Sequence, residues 1–265
     1  MAEPDGLFSD GAAYERFIGP WSLKVGAAFL DWLEPPSGLR WLEVGCGTGV
    51  FTELLLDRCA PREVIPIDPA PAQIEEAGKK PVARRAAFRV ADAQELPFAD
   101  AAFDLAVSAL VINFIPDRAR ALVEMKRVVR PGGLLAGYVW DFTGAIGSPS
   151  AFVNAALRGL GFTPQALPGA ESTTLDALNS LFEAAGLEAV EVRPFEVTHS
   201  YANAEEWWTR FIENPTAQTA FIRSLGEADR RKIRAAAEAL LPVGGDGTVT
   251  FPSRAHAAKG RVPSV

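Results

Sequence analysis

The chain is poor in the residues that most often announce a function by themselves. It has two cysteines, Cys46 and Cys59, among its 265 residues. That is too few for a disulfide framework, and a reduced, cytoplasmic protein is expected. No uncharged apolar run reaches the ~18 residues that a membrane span requires, so none is expected. The acidic start Met1-Ala2-Glu3-Pro4-Asp5 lacks the apolar stretch of a secretory signal. Net positive charge is also missing. A formal charge of −7 and a pI near 5.1 argue against a broad nucleic-acid-binding face. The one basic cluster, Lys79, Lys80, Arg84, Arg85 and Arg89, reads as solvated surface.

What is present is a large apolar fraction, 48% of residues, arranged in an alternating pattern of strands and helices. A helix is expected over 22–33, stopped by Pro35-Pro36. Strands follow at 39–44, 63–67, 87–90, 103–108 and 134–140, with helices at 48–59, 72–79 and 117–129 between them. Such an alternation predicts a parallel sheet with helices on both faces. Residues 142–170, rich in Gly, Pro and Ser, read as a cap or lid. A helix at 175–185, a strand at 189–197, helices at 204–213 and 227–241 and a strand at 248–259 complete the pattern.

The most specific segment is Leu42-Glu43-Val44-Gly45-Cys46-Gly47-Thr48-Gly49. It is a strand running into a glycine-rich turn at a helix start, where bare backbone and unpaired N–H groups let a nucleotide-like ligand approach. A dinucleotide fingerprint needs a further glycine at position 50, where Val50 stands. Glu43 beside the turn suits a cationic or amine-bearing ligand better than a pyrophosphate.

Four further segments come in order behind it: Ile67-Asp68-Pro69-Ala70, Val90-Ala91-Asp92-Ala93, Phe103-Asp104-Leu105-Ala106-Val107-Ser108, and Arg130-Pro131-Gly132-Gly133-Leu134. Together the five segments resemble the motifs of class I S-adenosylmethionine-dependent methyltransferases, of the methyltransferase type 11-like, small-molecule kind. The resemblance implies an α/β, Rossmann-like fold: a seven-stranded, mostly parallel sheet with an antiparallel last strand, plus a helical cap. It implies one domain over 1–265, with a cofactor-binding core at about 37–141 and cap elements at about 142–185 and 203–245. It also assigns roles. Glu43, Gly45, Cys46, Gly47 and Gly49 would cradle the methionine end of S-adenosyl-L-methionine. Asp68 with Pro69 would take the ribose hydroxyls, Asp92 and Ala93 the adenine, and Ser108 would lie beside the methionine part. The segment Tyr14–Trp21 resembles an arm closing over the cofactor, with Tyr14 and Arg16 reaching its carboxylate. The Pro-Gly-Gly segment is expected to be a helix-to-strand turn.

The resemblance stops after the fourth motif, where many relatives carry histidines and this chain has Val111-Ile112-Asn113-Phe114-Ile115-Pro116-Asp117. The only histidines, His199 and His256, read as surface or edge residues. Asp141, at the end of a strand, is the candidate proton acceptor, and no metal is expected. Trp140, Phe142, Phe152, Phe162, Trp207, Trp208 and Phe211 suggest an enclosed site for a small, hydrophobic or aromatic acceptor, although Trp207 and Trp208 are not expected to face the same way. The resulting expectation is methyl transfer to a small molecule. Two alternatives stand beside it, a non-catalytic cofactor-binding regulatory or assembly protein and a nucleotide-dependent oxidoreductase. Oligomeric state is not legible.

Overall fold

The computed structural model describes residues 11–143, 149–165, 167–214 and 216–264, with backbone alone at 11–21 and 149. In chain order the elements are α1 (Gly11–Leu33), β1 (Arg40–Val44), α2 (Val50–Cys59), β2 (Glu63–Asp68), α3 (Pro71–Gly78) and β3 (Arg89–Val90). There follow β4 (Phe103–Ala109), α4 (Arg118–Val128), β5 (Val129–Trp140), α5 (Pro149–Gly159), α6 (Leu175–Ala184) and β6 (Glu188–Tyr201). Last come α7 (Ala204–Glu213), α8 (Ala217–Ser224), α9 (Glu227–Glu238) and β7 (Val249–Arg261). Helix starts are set by short polar side chains. Asp117 accepts from the Arg120 N–H at 2.9 Å and Asn203 from that of Glu206 at 2.8 Å.

The strands form one sheet in the order β3-β2-β1-β4-β5-β7-β6. Strand β7 runs antiparallel to both neighbours, and the remaining pairings are parallel. Strand order reverses between β1 and β4, and in open α/β sheets ligands bind outside the strand ends at such a point. The central strands are largely apolar because both faces are covered. Val107, Tyr138 and Ala257 pack beneath α1 and α2, while Ala106, Val139 and Ala258 pack beneath α4 and α6.

A third apolar cluster joins α5, α7 and α9 to the ends of β6 and β7 through Val153, Leu157, Trp207, Phe211, Ile233 and Phe251. Three expectations change here. Helix α6, assigned to the cap segment 142–185, instead buries Leu178 and Phe182 with α4 against the sheet. Trp207 and Trp208 both lie in the third cluster, because sheet and helices surround α7 widely enough to cover more than one stripe of it. The Pro-Gly-Gly segment is not a turn between elements. Strand β5 begins directly after α4, and the segment is a bulge within it, where the register jumps from Phe103↔Val129 to Leu105↔Leu134. Gly132 takes a φ of 71° there and donates to the Val262 carbonyl at 2.9 Å.

Neither histidine is a surface residue. His199 is 2% exposed, and its ring stacks on Phe251 at 5.3 Å and 7°. Burial, with a contribution from Lys24, pushes its pKa down from 6.5 to about 4. A histidine depressed in this way contributes fully above pH 6.5, and its contribution is lost as pH falls toward 4. Wild type should therefore lose about 2 kcal/mol relative to His199→Phe between pH 7 and pH 5. Urea denaturation of both proteins at the two pH values measures this, and equal losses would contradict the assignment.

Candidate functional site

The site lies at the C-terminal edges of β1, β2 and β4. The Gly45 and Cys46 N–H groups donate to the Ile67 carbonyl at 2.8 and 2.9 Å, which fastens the turn to β2. Gly45, Gly47 and Gly49 have φ of 78°, 51° and 86°, the left-handed region that favours glycine. Their surroundings separate their roles. A Cβ on Gly45 would meet Val111 at 2.4 Å, and one on Gly49 would meet Phe88 at 2.8 Å. Only Gly47 opens onto space, its nearest neighbour being Gln73 Oε1 at 3.8 Å. Gly45 and Gly49 thus allow close packing, and Gly47 leaves a surface against which a ligand can rest.

Asp68, one strand on, is joined to this turn. Its Oδ2 accepts from the Gly47 N–H and its Oδ1 from the Ala70 N–H, both at 2.9 Å. Burial raises its pKa against the lowering effect of those two bonds. Pro69 is exposed beside it. Asp92 is exposed, and its Oδ1 accepts from the Gln94 N–H at 2.8 Å, an Asx turn that presents the loop. Ala93 is buried in the sheet's core. Ser108 is fully buried, with no hydrogen-bond partner for its hydroxyl among the described residues.

Glu43 does not offer an open carboxylate. Strand alternation turns it inward toward α2, where it is 1% exposed and accepts from the Thr52 hydroxyl at 2.6 Å. Burial raises its pKa from 4.5 to about 8, opposed by Thr52 and reinforced by the charge of Asp68. Cys46 is buried too, and burial pushes its thiol well above the usual range. The helix expected to open at Thr48 opens at Val50, and the Thr48 hydroxyl instead accepts from Lys80 Nζ at 2.9 Å. Tyr14 and Arg16 lie where side chains are outside the described residues, on backbone that is part of α1.

Asp141 directly follows β5 and is 5% exposed. Its Oδ1 accepts from the N–H and hydroxyl of Thr143, each at 3.0 Å, and its Oδ2 lies 3.7 Å from Nε2 of His256. His256 is 6% exposed, not an edge residue, because β7 is an inner strand. Asn113, in the 3-10 turn Ile112–Phe114 after β4, is 1% exposed and has no hydrogen-bond partner among the described residues for either side-chain atom. No local pattern marks Asn113 or His256, since pairing and packing distant in sequence bury them.

Comparison with known proteins agrees with this fold. Residues 42–137 match the family described as "Methyltransferase domain". The malonyl-[acyl-carrier protein] O-methyltransferase of Serratia marcescens is 32% identical over 130 residues, covering 49% of this chain and 47% of that protein. The ubiquinone/menaquinone biosynthesis C-methyltransferase of Paracoccus denitrificans is 38% identical over 112 residues, 41% of this chain and 45% of that protein. The chain thus spans about half the length of the curated relatives it matches. A phosphoethanolamine N-methyltransferase 2 of Haemonchus contortus, solved with S-adenosyl-L-methionine, shares the fold. The superposition has a TM-score of 0.58 at 17% identity, over 96% of this chain and 56% of that one. Residues 42–137 thus resemble a methyltransferase domain, and the fold is one shared with solved methyltransferases. Among the described residues, no helix is long and apolar enough to cross a membrane.

Proposed function

We propose that this protein transfers a methyl group from S-adenosylmethionine to a small acceptor in the cytoplasm. The observation that carries the reading is the pairing of a glycine turn open only at Gly47 with Asp68 directly beneath it. The site fits the donor. Gly47 leaves room for the methionine end against bare backbone, and each Asp68 oxygen retains a lone pair for a ribose hydroxyl after accepting its backbone N–H. The Asp92 loop would take the adenine. The donor supplies an activated methyl on a sulfonium, so the protein's work is orientation and exclusion of water. Helices α5, α7, α8 and α9 act as the cap, and their aromatic cluster favours a hydrophobic or aromatic acceptor. The named relatives methylate different atoms, oxygen in one and carbon in the other, so the acceptor atom must be argued from this chain.

Asp68→Ala should lower affinity for S-adenosylhomocysteine at least tenfold, about 1.4 kcal/mol or more. The loss combines ribose contacts with a freed Gly47 N–H. Calorimetric titration of the variant checks it, and unchanged affinity would overturn the role of Asp68.

A further inference from the structure

We propose that Asn113 anchors the methyl acceptor, and that Gly169 with the 3-10 turn Ala170–Thr173 forms a strap closed over it. The inference rests on the methyl-transfer reading. Asn113 is 1% exposed, and neither Nδ2 nor Oδ1 has a hydrogen-bond partner among the described residues. Such an amide works against folding, because water has been removed from it and nothing replaces the lost bonds. A group kept at that cost is one that a ligand satisfies.

Its place says which ligand. The turn Ile112–Phe114 follows β4, beside the point where strand order reverses. Val111, before it, packs on the cofactor turn, where a Cβ on Gly45 would meet it at 2.4 Å. Phe114, after it, faces the ring of Phe142 with centroids 6.5 Å apart. Asn113 thus lies between the cofactor turn and an aromatic wall. Its amide sets an accepting oxygen beside a donating nitrogen. The matching partner carries a donor beside an acceptor, so the acceptor is a molecule held by a carboxamide-like edge.

The strap accounts for the burial. A Cβ on Gly169 would lie 1.8 Å from the Asn113 carbonyl oxygen and 2.3 Å from Arg118 Nη2, so only glycine lets the strap close. Arg118 is the latch. Its Nη2 donates to the Asn113 carbonyl at 2.9 Å and lies 3.4 Å from the carboxylate of Glu171. Glu171 is largely exposed, which makes that pair weak. The strap's backbone N–H bonds are local, from Ala170 to Leu167 and from Ser172 to Gly169. Apart from Arg118, only Thr173 ties it by hydrogen bonds to other elements, among the described residues. The Thr173 hydroxyl accepts from the Phe142 N–H at 3.2 Å, and its carbonyl lies 2.7 Å from His256 Nδ1. A strap fixed at Thr173 and latched by one arginine can swing off Asn113 as a unit and admit the acceptor.

Thiol labelling reads the strap. Cys46 and Cys59 are both buried, so iodoacetamide should label Asn113→Cys slowly over a low wild-type background. Adding Arg118→Met should speed that labelling roughly tenfold or more, because bonds from a charged group are lost. Adding Gly169→Ala instead should do the same by blocking closure. Unchanged rates in both would overturn the strap.

Nitrogen-15 labelling of the chain's five asparagines reads the anchor, with Asn113→Leu assigning its signal. In protein saturated with S-adenosylhomocysteine, benzamide should shift the Asn113 side-chain signal. N,N-dimethylbenzamide, which has no donor, should not. Asn113→Leu should unfold at the same temperature as wild type or higher, with S-adenosylhomocysteine affinity unchanged. A marked loss of stability would make the amide a structural group, and a signal indifferent to benzamide would mean that it holds water only. Either result overturns the anchor and leaves methyl transfer standing. Protein that takes up no S-adenosylhomocysteine overturns both.

Discussion

Glu43→Gln should stabilise the protein by about 4 kcal/mol at pH 8 and by almost nothing at pH 4.5. The carboxyl lies in the core against Thr52, and burial lifts its pKa from 4.5 to about 8. The folded protein therefore binds a proton that the unfolded chain releases across this interval, so stability falls as pH rises from 4.5 to 8. Glutamine keeps the shape and can accept from Thr52, but has no charge to desolvate. His199 has the opposite slope between 4 and 6.5, since its depressed pKa favours the folded state as pH rises. The two slopes largely cancel between 4.5 and 6.5, which leaves a fall above 6.5 that Glu43→Gln should remove. Denaturant titrations of both proteins from pH 4.5 to 8 measure it. A parallel pair of curves would show that Glu43 ionises in the folded state as it does in the unfolded chain. The same proton makes a statement about ligand. A cationic amine held near Glu43 favours its ionised form, so cofactor binding at pH 7 should release protons to the buffer.

Gly45→Ala should cost about 3 kcal/mol of stability, while Gly47→Ala should cost about 1 kcal/mol. Both put a Cβ on left-handed backbone. At Gly45 that Cβ also overlaps Val111 at 2.4 Å, and at Gly47 it meets nothing closer than 3.8 Å. The effect on ligand is expected to be reversed. Gly47→Val should fold but lose S-adenosylhomocysteine affinity at least tenfold, because its side chain occupies the cradle. Thermal unfolding and calorimetry on the three variants separate the roles. Equal stability losses at the two positions would contradict the packing described for the turn.

The sheet and the glycine turn were legible in the sequence because their signals are local. Glycine spacing at 45, 47 and 49, with Val50 at the next position, separates this turn from a dinucleotide turn. The mostly apolar run 103–108 reads as a strand covered on both faces, and β4 is one. Asp68 follows from its place at the end of the second strand. The rest depends on contacts between distant residues. Nothing near His256 in sequence says that β7 is inserted between β5 and β6, or that Thr173, 83 positions away, receives its Nδ1. Glu43 was legible as a carboxylate beside the turn but not as one turned beneath α2. The Pro-Gly-Gly segment reads as a turn because bulges and turns use the same residues. Its place inside β5 is set by pairing with Val262 at the far end of the chain.

The most direct test is a calorimetric titration of ligand-free protein with S-adenosylhomocysteine, with NADH as the control. The glycine turn and Asp68 predict micromolar binding of the first and none of the second. NADH binding without S-adenosylhomocysteine binding, or no binding of either, would contradict the methyl-transfer assignment.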